Sequence, residues 1–415
     1  MSSQLLFESF YETMNDFSIL AGNLEQTKDK WLQVVIDKNN LNYPDYKETQ
    51  SNVHFDTVKE AKYNTNVFPK GAVTTGPIVV GNRDGQIKLV TIHVLRLKDN
   101  SGVVLFVCFA HALIDGVGFT AFMKRWSELC ACMASQGTLS GVPKRSIIHD
   151  RAIISKCVLE DRDPVKAQMD MPFSGGMRSR LISGVSPQTR GKILSFLLGK
   201  KSRCFAAYFY VPRHKLQALR ESLQGHSPDG FCPSDNEIIT SLLCISIVQS
   251  QGKPHKKTLL HWAMPWKAKI VDKVLGCPPK LFGTTMAVDI RSRSENYAEL
   301  AGYCGNAVVI AAAPFPLSEL QVPAIPELLI KISMGIRSGL RSVDAEHVGR
   351  LVNMINSAPD FYLRPHFYGK QFAMQLGSSN MSRSGWYGIN FGWGIPEFVI
   401  LHEGKKGRFG QKLQN

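Results

Sequence analysis

The spacing of apolar residues predicts alternating helices and strands in the first third of the chain. Apolar side chains recur at helical spacing in residues 5–24, at Leu6, Phe10, Met14, Phe17 and Leu20. Residues 87–97 are rich in aliphatic and β-branched residues, KDNSG follows as a turn, and VVLFVCFA is a second strand. These two strands form a predicted hairpin. Because VVLFVCFA is apolar on both faces, we expect it to lie in the interior of the structure.

A second amphipathic helix is predicted for residues 116–133, followed by a long irregular stretch. Its apolar side carries Phe119, Phe122, Met123, Trp126 and Leu129. Residues 135–205 are dominated by Gly, Ser, Pro and basic residues, and no periodic pattern persists in them. They predict a crossover between two lobes.

The second half returns to strands and helices. Predicted strands are FAAYFYV, LFGTTMAVDI and the end of GYCGNAVVIAAA, with strands or strand–loop segments in QFAMQLGSSN, WYGINFGWG and FVILHE. Predicted helices are PRHKLQALRESL, CPSDNEIITSLLCISIVQS and most of residues 325–357. Ser234 and Glu237 have the spacing of a capping box. The intermixing of helices and strands indicates an α/β (α+β) class with mixed sheets.

Length and composition favour a two-lobed globular protein. The 415 residues fit an N-terminal lobe at 1–160, a crossover loop at 161–205 and a C-terminal lobe at 206–415. The start, MSSQLLFESF, lacks the basic segment of a signal peptide, and no apolar run reaches the roughly 18–20 residues of a membrane span. The nine cysteines form no CxxC pair, so we expect reduced thiols and no metal site. A cytoplasmic monomer is the resulting expectation.

The net charge of +15 allows several partners. Nucleic acid, an anionic membrane face and an anionic small ligand would each suit it, and so would a solvated surface with no specific partner. No basic groove with interleaved aromatic residues is visible in the sequence, which makes nucleic acid the weakest of the three.

The segment AHALIDGVGF holds the candidate chemistry. His111 follows a predicted strand, Asp115 comes four residues later, and Gly116 and Gly118 allow tight backbone at the start of a helix. A neutral histidine on a rigid element could accept a proton from a hydroxyl or an amine. Asp115 would then be a structural anchor held by an arginine from elsewhere. A loop histidine without a function is the competing interpretation, and it is the commoner fate of a lone histidine.

Several segments, taken in order, resemble the BAHD acyltransferase family. HALIDG is similar to that family's HxxxDG motif, ESFYETMNDFSILAGNL to its early helix, and HDRAII to the start of its crossover loop. VDIRSR with GYCGN resembles its D-x-R-x-R and GYFGN stretch, and NFGWG its DFGWG signature. The resemblance implies two similar lobes of the chloramphenicol-acetyltransferase type with a channel between them. It also implies acyl transfer from acyl-coenzyme A to an alcohol or amine, with no metal.

The resemblance also assigns roles to individual residues. His111 is the general base, and Asp115 pairs with Arg291 or, as second choice, Arg293, because alternate residues at a strand end face opposite ways. Ser379 and Asn380 match a segment that donates to the oxyanion, although Asn380 replaces a tryptophan. Ser234 could bind a coenzyme A phosphate, although plain helix capping is favoured. The NFGWG turn is structural and consists of Asn390, Phe391, Gly392, Trp393 and Gly394.

Departures from the family pattern keep other interpretations open. Asn390 replaces an aspartate, and the chain has less sequence than the family at both ends, so we expect a short member, a truncated gene model or a degenerate copy. A non-catalytic binding protein of the same fold is therefore one alternative. A condensation or wax-ester type enzyme of the same superfold is another, although Ala110 stands where those enzymes usually carry a second histidine.

Overall fold

The computed structural model describes residues 2–26, 32–69, 71–72, 87–139, 142–143, 145–156, 203–204, 209–250, 281–293, 297–356, 374–400 and 411–412. Its helices are α1 (Ser3–Asp16), α2 (Phe55–Glu60), α3 (Gly116–Gln136), α4 (Ala152–Lys156), α5 (Arg213–Gln224), α6 (Asp235–Ser250), α7 (Tyr297–Leu300), α8 (Leu317–Leu320), α9 (Pro326–Arg341) and α10 (Ala345–Asn356). Its strands are β1 (Asn23–Gln26), β2 (Leu32–Val35), β3 (Asp45–Gln50), β4 (Val90–Arg96), β5 (Val103–Phe109), β6 (Arg203–Cys204), β7 (Leu281–Asp289), β8 (Val308–Pro316), β9 (Met374–Ser378) and β10 (Gln411–Lys412).

The first half of the chain is built around a three-stranded sheet with the order β3-β4-β5. β3 runs parallel to β4, and β4 pairs with β5 in the antiparallel hairpin that the sequence predicts. The predicted interior position of VVLFVCFA is wrong. All of β5 is half-buried and lies at the edge of this sheet among the described strands, whereas β4 is central and buries Ile92 and Val94 fully.

The two apolar faces of β5 have different neighbours, which explains the continuous apolar run. Val107 and Phe109 pack into the large cluster beneath α1 and α3, while Val104 and Phe106 pack into a small cluster around Leu97. Both faces are therefore covered although the strand has a neighbour on only one edge within the described residues. Apolar faces report what packs above and below a strand, and they do not report its position in the sheet order.

Helices α1 and α3 cover one face of the first sheet through aromatic contacts. The ring centroids of Phe10 and Trp126 are 5.3 Å apart, and those of Phe17 and Phe122 are 5.0 Å apart. The indole Nε1 of Trp126 donates to the carbonyl oxygen of Leu6 at 3.2 Å, so its one polar group is satisfied inside the core. This packing fixes α3, and therefore the segment that precedes it, against the sheet.

The second half is built around a sheet with the order β8-β7-β9. β7 is antiparallel to β8 and parallel to β9, so the central strand has one neighbour of each orientation, as β4 has in the first sheet. Helices α5, α6 and α9 contribute to the apolar cluster on this sheet. The hydroxyl oxygens of Ser241 on α6 and Ser333 on α9 are 3.1 Å apart within the core. The mixed sheets confirm the predicted α/β class.

Near its end the chain returns to the first half. Trp386, Ile389 and Phe391 are buried in the cluster beneath α1 and α3. The ring centroids of Trp126 and Phe391 are 5.0 Å apart, as are those of Phe119 and Trp386. The core of the first half is thus completed by residues more than two hundred positions later.

The predicted helices agree with the structure better than the predicted strands do. The first helix ends at Asp16 and is followed by a 3-10 turn over Ser18–Ala21. The pair β1–β2, strand β3 and helix α2 were not predicted, and WYGINFGWG forms a 3-10 turn and loops instead of a strand. The crossover 161–205 lies outside the described residues except Arg203–Cys204, and the lobe boundaries stay a prediction. No described helix has the length and apolar character that crossing a membrane requires.

Candidate active site

His111 lies directly after β5, at the start of a turn that leads into α3. The residue before it, Ala110, is fully buried, and its N–H donates to the carbonyl oxygen of Leu89 at 2.8 Å. The carbonyl oxygen of Ala110 in turn accepts from the N–H of Leu113 at 2.9 Å. The backbone entering His111 is therefore fixed, whereas the residue itself is exposed.

Asp115 caps the N-terminus of α3 and is only 2% exposed. Its Oδ1 accepts from the N–H groups of Val117 at 3.1 Å and Gly118 at 3.0 Å. An aspartate satisfies the free N–H groups of a first helical turn and complements the helix dipole there. The helix that follows HALIDG therefore begins at this residue for a local reason.

Arg291 holds the same carboxylate from the second half of the chain. Its Nη1 lies 3.0 Å from Asp115 Oδ2, and its Nη2 lies 3.2 Å from Asp115 Oδ1. The remaining N–H groups of Arg291 donate to Asp289 Oδ1 at 2.8 Å, Tyr303 O at 2.9 Å and Gly305 O at 2.8 Å. All the donors of this buried guanidinium are thus used.

Two carboxylates stabilise the charged guanidinium of Arg291 in this cluster. Burial by itself would lower the pKa of Arg291, but Asp115 and Asp289 outweigh that effect and hold the pKa above its usual range. The N–H of Ala307 adds a further contact to Asp115 Oδ2 at 2.9 Å. Both carboxylate oxygens of Asp115 are therefore engaged by backbone and by Arg291, an arrangement that joins the two halves of the chain.

Arg293, the second candidate for this pairing, lies elsewhere. Its Nη1 donates to the carbonyl oxygens of Leu340 at 2.9 Å and Val343 at 3.0 Å, at the end of α9. The argument from strand alternation was wrong, because β7 ends at Asp289 and Arg291–Arg293 form a 3-10 turn. Arg293 binds unpaired carbonyls at a helix C-terminus, a favourable place for a cation.

Gly116 and Gly118 bring the start of α3 close to the second half. A Cβ atom on Gly118 would lie 2.3 Å from the carbonyl oxygen of Cys304, which is backbone. A Cβ atom on Gly116 would lie 2.5 Å from Cε of Met381, the flexible end of a side chain. Only the first of these approaches strictly requires a glycine.

Gly118→Ala is expected to lower the free energy of unfolding by about 1–3 kcal/mol, because the methyl group meets backbone that cannot move aside alone. Gly116→Ala is the matched control and should change stability little, since the Met381 thioether can rotate away. Urea unfolding of both variants measures the difference. Equal stabilities would contradict the close contact at Cys304.

A cavity of about 1010 Å³ lies between the two halves, beside the turn that follows His111. The turn lines it with Ala112, Leu113 and Ile114, and the side chain of His111 is not part of the lining. Other apolar lining residues include Phe17, Leu20, Ile154 and Ile290, and polar ones include Gln33, His149, Arg151 and Asn306. Burial lowers the pKa of His149, which favours its neutral form at pH 7. Among the described residues, no group of acidic, His or Cys side chains is placed to hold a metal ion.

The sequence of this chain is similar to those of known transferases. Residues 1–148 match the model of the transferase family. Phenolic glucoside malonyltransferase 1 of Arabidopsis thaliana is 21% identical over 320 residues, which cover 74% of this chain and 58% of that protein. The N-terminal part of the chain is thus similar to the transferase family. The chain spans less than two thirds of the length of this curated relative.

Solved structures show the same fold as this chain. The apo structure of F. graminearum TRI101 aligns with a TM-score of 0.64 at 12% identity, covering 98% of this chain and 84% of that one. F. sporotrichioides TRI101 complexed with coenzyme A and T-2 aligns with a TM-score of 0.58 at 12% identity, covering 95% of this chain and 79% of that one. Vinorine synthase aligns with a TM-score of 0.53 at 14% identity, covering 95% of this chain and 74% of that one.

The NFGWG segment of the chain is a packed turn. Asn390 Oδ1 accepts from the N–H groups of Gly392 at 2.8 Å and Gly394 at 3.0 Å, and both glycines have positive φ. Phe391 is buried against Trp126, and its ring lies 5.4 Å from that of the more exposed Trp393. An asparagine supplies the side-chain oxygen that this turn needs, so the missing aspartate charge is not required for its backbone contacts.

The two oxyanion candidates precede the residue that covers the start of α3. Ser379 and Asn380 are both exposed, and Met381 follows them and packs on Gly116. Asn380 Oδ1 accepts from the N–H of Ser382 at 3.0 Å, which closes a local turn. The pair is therefore near the beginning of α3, and its role as oxyanion donor stays a prediction.

Ser234 lies in the second half, in the capping box that the sequence predicts for α6. Its N–H donates to Glu237 Oε2 at 2.7 Å, and its Oγ accepts from the N–H of Glu237 at 3.3 Å. Arg337 on α9 donates to both carboxylate oxygens of Glu237, at 2.8 and 2.5 Å. These contacts account for Ser234 by capping, and contact with a coenzyme A phosphate stays a prediction.

Glu237→Gln is expected to flatten the acid side of the stability profile. Burial by itself would raise the pKa of Glu237, but Arg337 and Ser234 outweigh it and lower the pKa. A carboxyl with a folded-state pKa below its unfolded value of about 4.3 adds stability above that pH, which is lost as pH falls through the folded-state pKa. Urea unfolding from about pH 3 to pH 7 measures this slope. Parallel profiles for wild type and Glu237→Gln would contradict it, and Glu319→Gln is the control at an exposed ion pair.

Sequence reasoning missed two residues that touch the site. Asp289 binds Arg291, and the amide of Asn306 donates to the carbonyl oxygen of His111 at 2.9 Å. Both were within the quoted segments VDIRSR and GYCGN. The D-x-R spacing was the available signal for Asp289, whereas nothing in the local pattern pointed Asn306 at His111.

Proposed function

We propose that this chain transfers an acyl group from an acyl-coenzyme A thioester to a hydroxyl or an amine of a small molecule, with His111 as general base. The observation that carries the proposal is the buried Asp115–Arg291 pair, which fixes the segment after His111 while leaving His111 exposed. A general base needs a fixed backbone and an accessible ring, and both conditions hold at this position.

The reaction then takes place in two stages. His111 removes the proton of the acceptor as the oxygen or nitrogen attacks the thioester carbonyl, which gives a tetrahedral oxyanion. The intermediate collapses, the carbon–sulfur bond breaks, and the coenzyme A thiolate receives the proton that His111 holds. The acyl group passes directly to the acceptor, so neither a covalent enzyme intermediate nor a metal is needed. Asp115 takes no part in the proton transfer, because both its carboxylate oxygens are held by Arg291 in the core.

Hydrogen-bond donors near the start of α3 would stabilise the oxyanion. Ser379 Oγ and the Asn380 amide are the donors that we propose, since the adjacent Met381 packs on Gly116 at the beginning of that helix. Donors of this kind are effective when they are already oriented toward the developing charge. The turn that Asn380 Oδ1 closes with Ser382 would provide such orientation.

The substrates that we propose fit the charge and the cavity. Acyl-coenzyme A carries several phosphates, which suit a chain of net charge +15. The cavity between the halves would take an acceptor with an apolar body, because most of the residues that line it are aliphatic or aromatic. Coenzyme A with T-2 and with deoxynivalenol is present in structures of TRI101.

We also propose a cytoplasmic monomer, consistent with described cysteines that form no disulfide among themselves.

Release of coenzyme A thiol tests this proposal. The purified chain is incubated with acetyl-, malonyl- and aromatic acyl-coenzyme A, each with and without a mixed panel of phenols, alcohols and polyamines. Acceptor-dependent thiol release is the expected result, and mass spectrometry of the product distinguishes an ester from an amide. A folded chain that releases no thiol with any pair would contradict the proposal and favour a non-catalytic binding protein of the same fold.

A further inference from the structure

The backbone carbonyl of the candidate base has a partner in the other half of the chain. Asn306 Nδ2 donates to His111 O at 2.9 Å across 195 positions of sequence. Asn306 also lines the cavity between the halves, and both residues are exposed. A hydrogen bond from an exposed side chain adds little to stability, so stability alone does not account for this contact.

The backbone of Asn306 is held on both sides by the buried ion pair. The carbonyl oxygen of Gly305 accepts from Arg291 Nη2 at 2.8 Å, and the N–H of Ala307 donates to Asp115 Oδ2 at 2.9 Å. The side chain of Asn306 therefore starts from a backbone that Asp115 and Arg291 have already fixed. It is exposed yet anchored, which is unusual for an amide at the rim of a cavity.

These contacts close a ring around the candidate base. From His111 the chain runs to Asp115, from which a hydrogen bond leads to Ala307, and the neighbouring Asn306 returns to the carbonyl of His111. We propose that Asn306 is a positioning residue, through which the buried pair of Asp115 and Arg291 holds the backbone of His111 in place. This inference rests on the proposed function, because it assigns Asn306 to the reaction of that same site.

The chemistry of the amide suits this task. The carbonyl oxygen of His111 accepts a hydrogen bond, and Asn306 supplies the N–H group without adding a charge. An aspartate of the same size would place an acceptor against an acceptor.

Removing the donor should therefore slow the reaction without unfolding the chain. Asn306→Ala is expected to lower kcat by about 10–100-fold, because small displacements of a reacting group cost rates of this order. The KM for acyl-coenzyme A should stay within about twofold, since the substrate contacts are intact. Asn306→Asp should lower kcat as well, because a carboxylate cannot donate to the carbonyl oxygen of His111.

The control is Gln249→Ala, which removes an exposed amide that donates to the carbonyl oxygen of Val322, far from the site in sequence and on α6. Thermal unfolding of all variants shows whether each is folded. Kinetics of Asn306→Ala within about twofold of an active wild type would overturn this inference alone. A folded wild type that releases no thiol would overturn the proposed function, and the role of Asn306 in catalysis with it.

Discussion

Asp115→Ala is expected to lower the free energy of unfolding by about 3–5 kcal/mol, because it leaves the buried guanidinium of Arg291 without its bidentate partner. Burial of an unpaired charge is expensive, and Asp289 binds Arg291 through a single oxygen from a partly exposed position. The variant also loses the N-cap of α3, and this loss lowers the free energy of unfolding by about 1 kcal/mol more. Denaturant unfolding followed by circular dichroism measures the total.

Two comparisons separate the parts of that effect. Asp115→Asn keeps an N-cap acceptor and removes the charge, so its loss relative to wild type reports the ion pair, and the further loss in Asp115→Ala reports the cap. Glu319→Ala breaks an exposed ion pair with Lys331 at 3.0 Å and should cost at most about 1 kcal/mol. If Asp115→Ala costs no more than Glu319→Ala, the buried pair does not hold the two halves together.

His111→Ala is expected to lower acceptor-dependent thiol release by about 10²–10⁴-fold, which is the usual contribution of a general base. Because the residue is exposed, its removal should leave the unfolding midpoint almost unchanged. Steady-state kinetics at saturating acyl-coenzyme A measure the loss. Added imidazole should restore part of the rate, since a free base can enter the space that the side chain leaves.

The matched control for this variant is His214→Ala. His214 is also exposed and lies on α5 in the second half, away from HALIDG in sequence. The His214→Ala variant removes an imidazole from the same protein and leaves the proposed base in place. Rates within about twofold of wild type are expected for it. A His111→Ala variant as active as His214→Ala would exclude His111 as the base.

Helices and the hairpin could be predicted because their signals are local. The apolar stripe of α3 and the turn between β4 and β5 are visible within a short window of sequence. The parallel pairing of β3 with β4 joins segments about forty residues apart, and no local pattern encodes it. Apolar faces on β5 misled the prediction for a related reason, since they record packing and not strand order.

The site could be predicted only in its local part. Asp115 and Gly116 follow from a motif within one turn, and Arg291 from a second motif that the resemblance supplied. Which of two arginines reaches Asp115 depends on where β7 stops and a 3-10 turn begins, and the sequence leaves that boundary open. Asn306 needs the two halves to be docked before its amide can meet His111.

The return of Trp386 and Phe391 to the first half affects how the chain is made. At about 5–20 residues per second, the ~260 positions between Trp126 and Trp386 take ~13–50 s to synthesise. During that interval the parts of Phe119 and Trp126 that pack on Trp386 and Phe391 lack these partners. We therefore expect a ribosome-bound chain at that stage to bind chaperones that recognise exposed apolar surface, and to be released when these last aromatic residues emerge.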